Sequence, residues 1–268
     1  MSFMGHLEEL RWLLVRSSIA VVIAAVIAVF FNEFIFDVII FGPKESDFIT
    51  YQFFCELAHQ FDLDKSFCEK ELPFVIQNRT MEGQLSVMIW TCLTAGFILA
   101  FPFILWEFWK FISPALYQNE RKYAKTFLFI SSTLFFLGVL FGYYVLVPLS
   151  INFLSNFTVS DIIENQIDIN SYISLVKTTS LATGLIFELP IIIFFLTYLG
   201  LINDSFLKEY RRYAYVLILI VAAIVTPPDI ISQIIVSIPL VMLYEASIFI
   251  AKIITKRNLK KENNAATT

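Results

Sequence analysis

The chain has 268 residues, of which 58% are hydrophobic and 16% charged, with a formal net charge of −4. Soluble domains carry about 25% charged residues, so this composition excludes a soluble globular protein and indicates a single membrane domain. The net charge says little about partners, because the charged residues lie mostly between apolar segments. No small-residue cleavage site follows the first apolar segment, so we expect a retained helix rather than a signal peptide.

Six apolar segments predict six membrane-spanning helices, because backbone in hydrocarbon must satisfy its own hydrogen bonds. Four of them reach the ~20 residues that cross the bilayer core, and the first falls just short. A β-barrel would need alternating segments of about 10 residues, which are absent. The segments are about 13–31, 85–109, 126–147, 173–201, 213–225 and 230–251. The predicted fold is an all-α bundle in one domain, 1–251, and a polar tail, 252–268, that we expect to be solvated and disordered.

The basic residues predict the orientation of this bundle. Of the 19 Lys and Arg residues, 14 lie at or near one end of the segments and five at the other. Cytoplasmic loops carry the excess of positive charge, so the richer end is predicted to be cytoplasmic. An even number of spans then places both termini in the cytoplasm.

The loop 42–84 is the longest connection between the segments and is acidic. Apolar residues in its first half recur at helical spacing and predict a short amphipathic helix lying on the outer membrane surface. These residues are Tyr51, Phe54, Leu57, Ala58 and Phe61.

The loop also carries two cysteines, Cys55 and Cys68. In an oxidising compartment we favour a disulfide between them over two free thiols. Cys92 lies inside the second segment, where a small packing residue is the expected role.

Two further outer connections are predicted, 148–172 and the short turn 226–229. Pro227 and Pro228 have no backbone N–H and enforce a tight break before the sixth segment. The fifth segment is only about 20 Å long as a helix. Either the bilayer thins beside it, which we favour, or flanking polar residues absorb the mismatch.

Glu188 lies near the middle of the fourth apolar segment. A charge at the bilayer centre costs roughly 3 kcal/mol on insertion scales. One interpretation is a protonated carboxyl that links two helices by a hydrogen bond, and the other is a group that lines a working cavity. We favour the second, since ionisable groups inside membranes usually serve a function.

Motifs of catalysis are missing from the sequence. It contains no His-Glu-x-x-His, no G-x-S-x-G and no P-loop, and both histidines, His6 and His59, lie in surface segments. We therefore expect no enzymatic activity, no metal site and no cofactor.

Two acids on the predicted cytoplasmic side, Glu9 and Glu120, offer a binding function instead. Together they can accept two guanidinium groups through charge-assisted hydrogen bonds, a geometry that Arg satisfies and Lys does not. Taken alone, such surface acids are more often simply solvated.

Five stretches of the chain, in order, resemble motifs of the TatC family, the polytopic core subunits of the twin-arginine (Tat) protein translocase. They are His6-Leu-Glu-Glu-Leu-Arg11, the loop from Phe111 to Arg121, Phe187-Glu-Leu-Pro190, Thr226-Pro-Pro-Asp-Ile-Ile-Ser-Gln233, and the pair Ile238-Pro239 with Leu243-Tyr-Glu245. Each motif is weak, but their order on the predicted sides of six spans is specific. The resemblance implies a cup-shaped bundle in a bacterial inner membrane.

Site roles follow from the resemblance position by position. It implies that Glu9 and Glu120 bind the Arg pair of a signal peptide and that Glu188 is the acid of a concave cavity. It assigns Asp229, Gln233 and Glu245 to polar or partner-facing positions. The rest of the implied signal-peptide patch is Arg11, Phe111, Pro114, Leu116, Tyr117 and Arg121.

The implied function is export of folded proteins that carry twin-arginine signal peptides, driven by the proton motive force. The implied partners are single-span subunits of the TatA and TatB types in an oligomeric complex, with no nucleic acid. Two alternatives stay open, a proton-coupled small-molecule carrier with Glu188 and Glu245 as proton sites, and a pure scaffold. Carriers commonly show internal repeats and broken helices in matching halves, and neither is evident in the sequence.

Overall fold

The computed structural model describes residues 3–266 apart from 46, 62–67, 69–71, 73, 114–123, 161–164, 199 and 227–229. The described residues form ten α-helices and two short strands. The helices are α1 (Phe3–Phe30), α2 (Ile49–Phe61), α3 (Gly83–Ile112), α4 (Ala124–Phe141), α5 (Val147–Asn156), α6 (Ile169–Ile186), α7 (Leu189–Tyr198), α8 (Asp204–Glu209), α9 (Arg211–Val225) and α10 (Ile230–Ala266). The strands are β1 (Val75–Gln77) and β2 (Gln166–Asp168).

Five helical stretches within the described residues are long and apolar enough to cross a membrane. They are Met4–Phe30, Gly83–Ile112, Thr126–Asn156, Ile169–Tyr198 and Ser232–Lys256. The predicted helical membrane fold is thereby confirmed. The fifth predicted segment corresponds to α9, whose 15 residues extend about 22 Å. This length is below that of a full span.

We had expected the fourth predicted segment to form one continuous helix, but it does not. It divides into α6 and α7, with Phe187 and Glu188 in the turn between them. Pro190 explains the division, because it has no backbone N–H and its ring clashes with the carbonyl four residues earlier, that of Ile186. The break leaves Glu188 at a helix junction.

Two predicted boundaries were also wrong. Helix α1 begins at Phe3, ten residues before the start of the first predicted segment at Leu13. The outer connection expected at 148–172 begins later, because a π-helical turn, Gly142–Leu146, carries the helix into α5. The helix continues past Pro148, which lies just after the π-helical turn, in the first turn of α5.

The tail was expected to be disordered, but α10 continues to Ala266. Four Lys residues and two Ala residues, which are strong helix formers, favour this extension. The two strands were not predicted either. They pair in parallel, Val75 with Gln166 and Gln77 with Asp168, and join the long loop to the start of α6.

Small residues allow the long helices to approach closely. A Cβ on Gly96 of α3 would lie 2.6 Å from the backbone nitrogen of Ala25 in α1. A Cβ on Gly138 of α4 would lie 2.7 Å from the carbonyl oxygen of Thr183 in α6. Only glycine fits such contacts, which resemble the small-residue interfaces of membrane helices. Cys92 is buried and free, as expected of a packing residue.

Helix α2 confirms the helix predicted in the long loop, but its buried face packs against protein. The Tyr51 hydroxyl donates to the carbonyl oxygen of Pro43 at 2.9 Å, and Thr50 Oγ1 donates to that of Tyr144 at 2.5 Å. Burial raises the pKa of Tyr51. Cys55 and Cys68 are joined by a disulfide, with their Cα atoms 5.1 Å apart.

Candidate functional site

A pocket of about 420 Å³ lies between the first turns of α1 and the last turns of α3. We call it the Glu107 pocket. It combines three carboxylates with two basic side chains and two aromatic rings. Its lining residues are Gly5, Glu8, Glu9, Trp12, Leu13, Arg16, Glu107, Lys110 and Phe111.

Glu107 is the most deeply buried charged group of this pocket, with 4% of its surface exposed. Arg16 Nη1 donates to its Oε2 at 3.2 Å, and Lys110 Nζ donates to its Oε1 at 2.6 Å. Both carboxylate oxygens are therefore paired, as a buried charge requires. Sequence reasoning missed Glu107, although it is the only charged residue in the apolar segment 85–109.

Two residues of the predicted signal-peptide patch line this pocket, and a third, Arg11, lies beside it in α1. Glu9 and Phe111 line it. The Phe111 ring stacks on His6 with the ring centroids 4.3 Å apart. The Arg11 guanidinium lies over the Trp12 ring, 5.5 Å from its centroid. The rest of the predicted patch, Pro114, Leu116, Tyr117, Glu120 and Arg121, lies outside the described residues.

Glu188 lies within the bundle with 7% of its surface exposed. Ser131 Oγ on α4 donates to its Oε2 at 2.5 Å. Its Oε1 has no hydrogen-bond partner among the described residues. The carboxyl thus links two helices and retains one oxygen that can accept a further hydrogen bond.

The other predicted polar positions lie apart from Glu188. Arg211 pairs with Glu245 through two hydrogen bonds, one of them from Nε to Oε1 at 2.6 Å. Tyr215 donates to the same Oε1 at 2.5 Å. Gln233 Nε2 donates to the carbonyl oxygen of Leu219 at 3.2 Å. Asp229 lies outside the part of the chain that the structure describes.

These contacts bear on the carrier alternative. A proton site needs a carboxyl that can gain and lose a proton during each cycle. Glu245 is instead held by a guanidinium and a phenol, which favour its charged form. Of the two acids that this alternative invoked, only Glu188 lacks a basic partner among the described residues.

Comparison with known proteins gives a consistent result. The family model described as "Sec-independent protein translocase protein (TatC)" matches residues 5–239.

The chain belongs to the TatC family.

Curated members of the TatC family match along most of the chain. The protein named Sec-independent protein translocase protein TatC from Blattabacterium sp. subsp. Periplaneta americana is 45% identical over 258 residues, 96% of this chain and 97% of its own length. The protein of the same name from Aquifex aeolicus is 34% identical over 258 residues, 96% of each chain.

A solved structure agrees with the fold. A crystal structure of the twin-arginine translocase receptor TatC, determined in the detergent DDM, superposes with a TM-score of 0.71 at 32% identity. It covers 92% of this chain and 99% of its own. Membership in the TatC family identifies the chain as a membrane component of a Sec-independent protein translocase.

Proposed function

We propose that this chain is the signal-peptide receptor of its translocase and that the Glu107 pocket forms part of the binding site for a twin-arginine motif. The observation that carries the proposal is the joint placement of Glu8, Glu9 and Glu107 around one open pocket beside Phe111. Carboxylates bind guanidinium groups through paired charge-assisted hydrogen bonds, and an aromatic ring offers a stacking surface for a planar cation.

The pocket already contains one guanidinium–carboxylate ion pair, the interaction that it would offer to a peptide. The guanidinium of Arg16 is half-exposed and lies against buried Glu107. A peptide guanidinium can use Glu8 and Glu9 directly and compete with Arg16 for Glu107. Lys lacks the planar fork of Arg, so a Lys-Lys peptide would form fewer of these bonds. Glu120, from the adjoining loop, would complete the set of acids.

We further propose that the domain, 1–251, crosses the bacterial inner membrane six times in a cup-shaped bundle, with both termini in the cytoplasm. In addition to the five long helical stretches, α9 would be a short span, the fifth in chain order, beside which the bilayer thins. Two features support this orientation. The Glu107 pocket lies at the end of the bundle rich in basic residues, and the Cys55–Cys68 disulfide lies at the other end, where an oxidising periplasm would maintain it.

Partner subunits would bind elsewhere on the bundle. Glu188 retains an oxygen without a partner among the described residues, so it can accept a hydrogen bond from a polar group of a TatA- or TatB-type helix. Gln233 and Asp229 would contribute near the outer end of α10. Folded cargo would then pass through an oligomeric assembly driven by the proton motive force.

Export in cells tests this function. In a strain that lacks its own TatC-type subunit, this chain with its matching partners should restore export of a folded reporter that carries a twin-arginine signal. A reporter with Lys-Lys in place of Arg-Arg should stay in the cytoplasm. Equal export of both reporters would contradict the proposed recognition.

A further inference from the structure

A second cleft, of about 620 Å³, lies at the opposite end of the bundle from the Glu107 pocket. We call it the Lys177 cleft. It runs between the first three turns of α3 and those of α6. Polar side chains dominate its lining, which consists of Ser86, Val87, Trp90, Asn170, Ser171, Ser174, Leu175, Lys177 and Thr178.

Lys177 is the only ionisable residue of this lining. It lies eight residues after α6 begins at Ile169, or about 12 Å along the helix. Among the described residues, no acid forms an ion pair with it. An unpaired ammonium at this depth is unfavourable unless water or an anion reaches it.

The length of the lysine side chain places this charge near the membrane surface. A lysine stem can extend toward the interface while its methylene groups stay in apolar surroundings. Lys177 can therefore bring its ammonium to the level of Ser171 and Ser174, one or two turns from the start of α6. Trp90, which is 59% exposed, lines the facing wall, and exposed Trp is typical of the headgroup level of a bilayer.

The side chains that line the cleft favour binding of an anion. An ammonium, several hydroxyls and the Asn170 amide all donate hydrogen bonds, and the cleft contains no carboxylate that would oppose an anion. Of these groups, the Thr178 hydroxyl donates to the Ser174 carbonyl oxygen at 2.6 Å, so the principal donors are Lys177, Asn170 and the serine hydroxyls. A phosphodiester offers several acceptor oxygens and one negative charge, which suits this set.

We propose that the Lys177 cleft is a binding site for the headgroup of an anionic phospholipid. The apolar side chains of Val87 and Leu175 in the same lining would lie against the glycerol and upper acyl region. The site is independent of signal-peptide recognition, because its residues are separate from those of the Glu107 pocket. A lipid bound here would occupy the space between α3 and α6 at one membrane surface.

Native mass spectrometry of the detergent-purified protein tests this site. Dioleoyl-phosphatidylglycerol and dioleoyl-phosphatidylcholine would be added in equal amounts, and the bound fractions compared. We expect the wild-type protein to prefer phosphatidylglycerol by about fivefold, the effect of one basic residue near a lipid surface. Lys177→Gln should abolish the preference and Lys177→Arg should retain it. Lys44→Gln, which changes a lysine outside the cleft, should leave it unchanged.

Three results would overturn the proposal. The first is an undiminished preference for phosphatidylglycerol in Lys177→Gln. The second is a loss of that preference in Lys44→Gln as well, which would show a general charge effect. The third is displacement of phosphatidylglycerol by an equal concentration of inorganic phosphate, which would indicate a site for soluble anions. If Lys177→Gln does not fold, a loss of preference in folded Lys177→Arg contradicts the proposal by itself. We expect Lys177→Gln to export a twin-arginine reporter normally whether or not it binds the lipid, so this test is separate from that of the receptor.

Discussion

Arg16 and Glu107 form an ion pair that ties α1 to α3, with 3.2 Å between Nη1 and Oε2. The carboxylate is 4% exposed and the Arg16 side chain is 54% exposed. The buried partner is thus fixed, while the guanidinium can leave toward solvent. This asymmetry makes Arg16 an internal competitor for any guanidinium that enters the Glu107 pocket.

We expect substitutions of Arg16 and of Glu107 to change peptide binding in opposite directions. Arg16→Gln should tighten binding of an Arg-Arg peptide about threefold, because it removes a competing cation. Glu107→Gln should weaken binding by a similar or larger factor, because it leaves Arg16 and Lys110 facing the peptide. These factors correspond to the roughly 0.5–1 kcal/mol typical of partly exposed charge pairs. Fluorescence anisotropy with a labelled peptide measures both.

A matched control for this pair is Lys208→Gln, which removes a charge from α8, where Lys208 pairs with Asp204 outside the pocket. It should bind the peptide as the wild type does. A shift in the same direction for Arg16→Gln and Glu107→Gln would contradict the competition between Arg16 and the peptide.

The contact between α1 and α3 depends on Gly96. Gly96→Val should lower the free energy of unfolding by about 1–3 kcal/mol, the usual cost of overpacking, because its Cβ would lie 2.6 Å from the Ala25 nitrogen. Thermal unfolding in detergent measures the loss. Leu99→Val, at a side chain that is 61% exposed on the same helix, should have a much smaller effect. Equal losses in the two variants would show that the close approach is not important.

Ser131 should stabilise the bundle through Glu188. Ser131→Ala removes the donor to Glu188 Oε2 and leaves a buried carboxyl without that bond, so we expect a loss of about 1–3 kcal/mol. Ser132→Ala, at the next position, is the matched control and should change the unfolding temperature little. Similar unfolding temperatures for the two variants would contradict the link between α4 and Glu188.

Glu188 itself should be needed for transport more than for folding. In Glu188→Gln the amide oxygen can still accept from Ser131, so the unfolding temperature should stay close to that of the wild type. Export of a twin-arginine reporter should nevertheless fall, because the substitution replaces the oxygen available to a partner with a donor or removes an ionisable group. Undiminished export would support the scaffold alternative.

Asp168 should make the stability depend on pH at the start of α6. Its Oδ1 accepts from the backbone N–H of Asn170 at 2.8 Å, and this bond lowers the pKa of Asp168 below its ordinary value of 3.8. A lowered pKa stabilises the folded state at pH values above 3.8, and the contribution is lost as the pH falls through the folded pKa. The unfolding temperature of Asp168→Asn should therefore be lower than that of the wild type at pH 7, with the gap closing toward pH 3. A gap that does not change with pH would contradict this role.

Apolar length and charge distribution were sufficient to predict the main helices. The long segments need no tertiary information, because hydrocarbon requires internally bonded backbone. The division at Glu188 was predictable in principle from Pro190, whose effect on the preceding helix is local. Strands β1 and β2 were not, because three residues carry too little pattern to indicate pairing across 91 residues of sequence, as between Val75 and Gln166.

The candidate site was predicted only in part. Through the family resemblance, the sequence pointed to Glu9 and Phe111, and both line the Glu107 pocket. Glu107 was missed because it lies inside the second apolar segment and outside the motifs that resemble the TatC family. The pairing of Glu107 with Arg16, 91 residues away in sequence, depends on the packing of α1 against α3, which no local pattern specifies.

Peptide binding with and without the Glu9 carboxylate tests the central claim most directly. A fluorescent twin-arginine signal peptide and its Lys-Lys counterpart would be titrated onto the purified wild type, Glu9→Gln, Glu120→Gln and the outer-loop control Glu45→Gln. We predict that only the Arg-Arg peptide binds tightly, and that its affinity falls about tenfold, or ~1.4 kcal/mol, in each of Glu9→Gln and Glu120→Gln but not in Glu45→Gln. Equal binding of both peptides, unaffected by any of these substitutions, would contradict the receptor site.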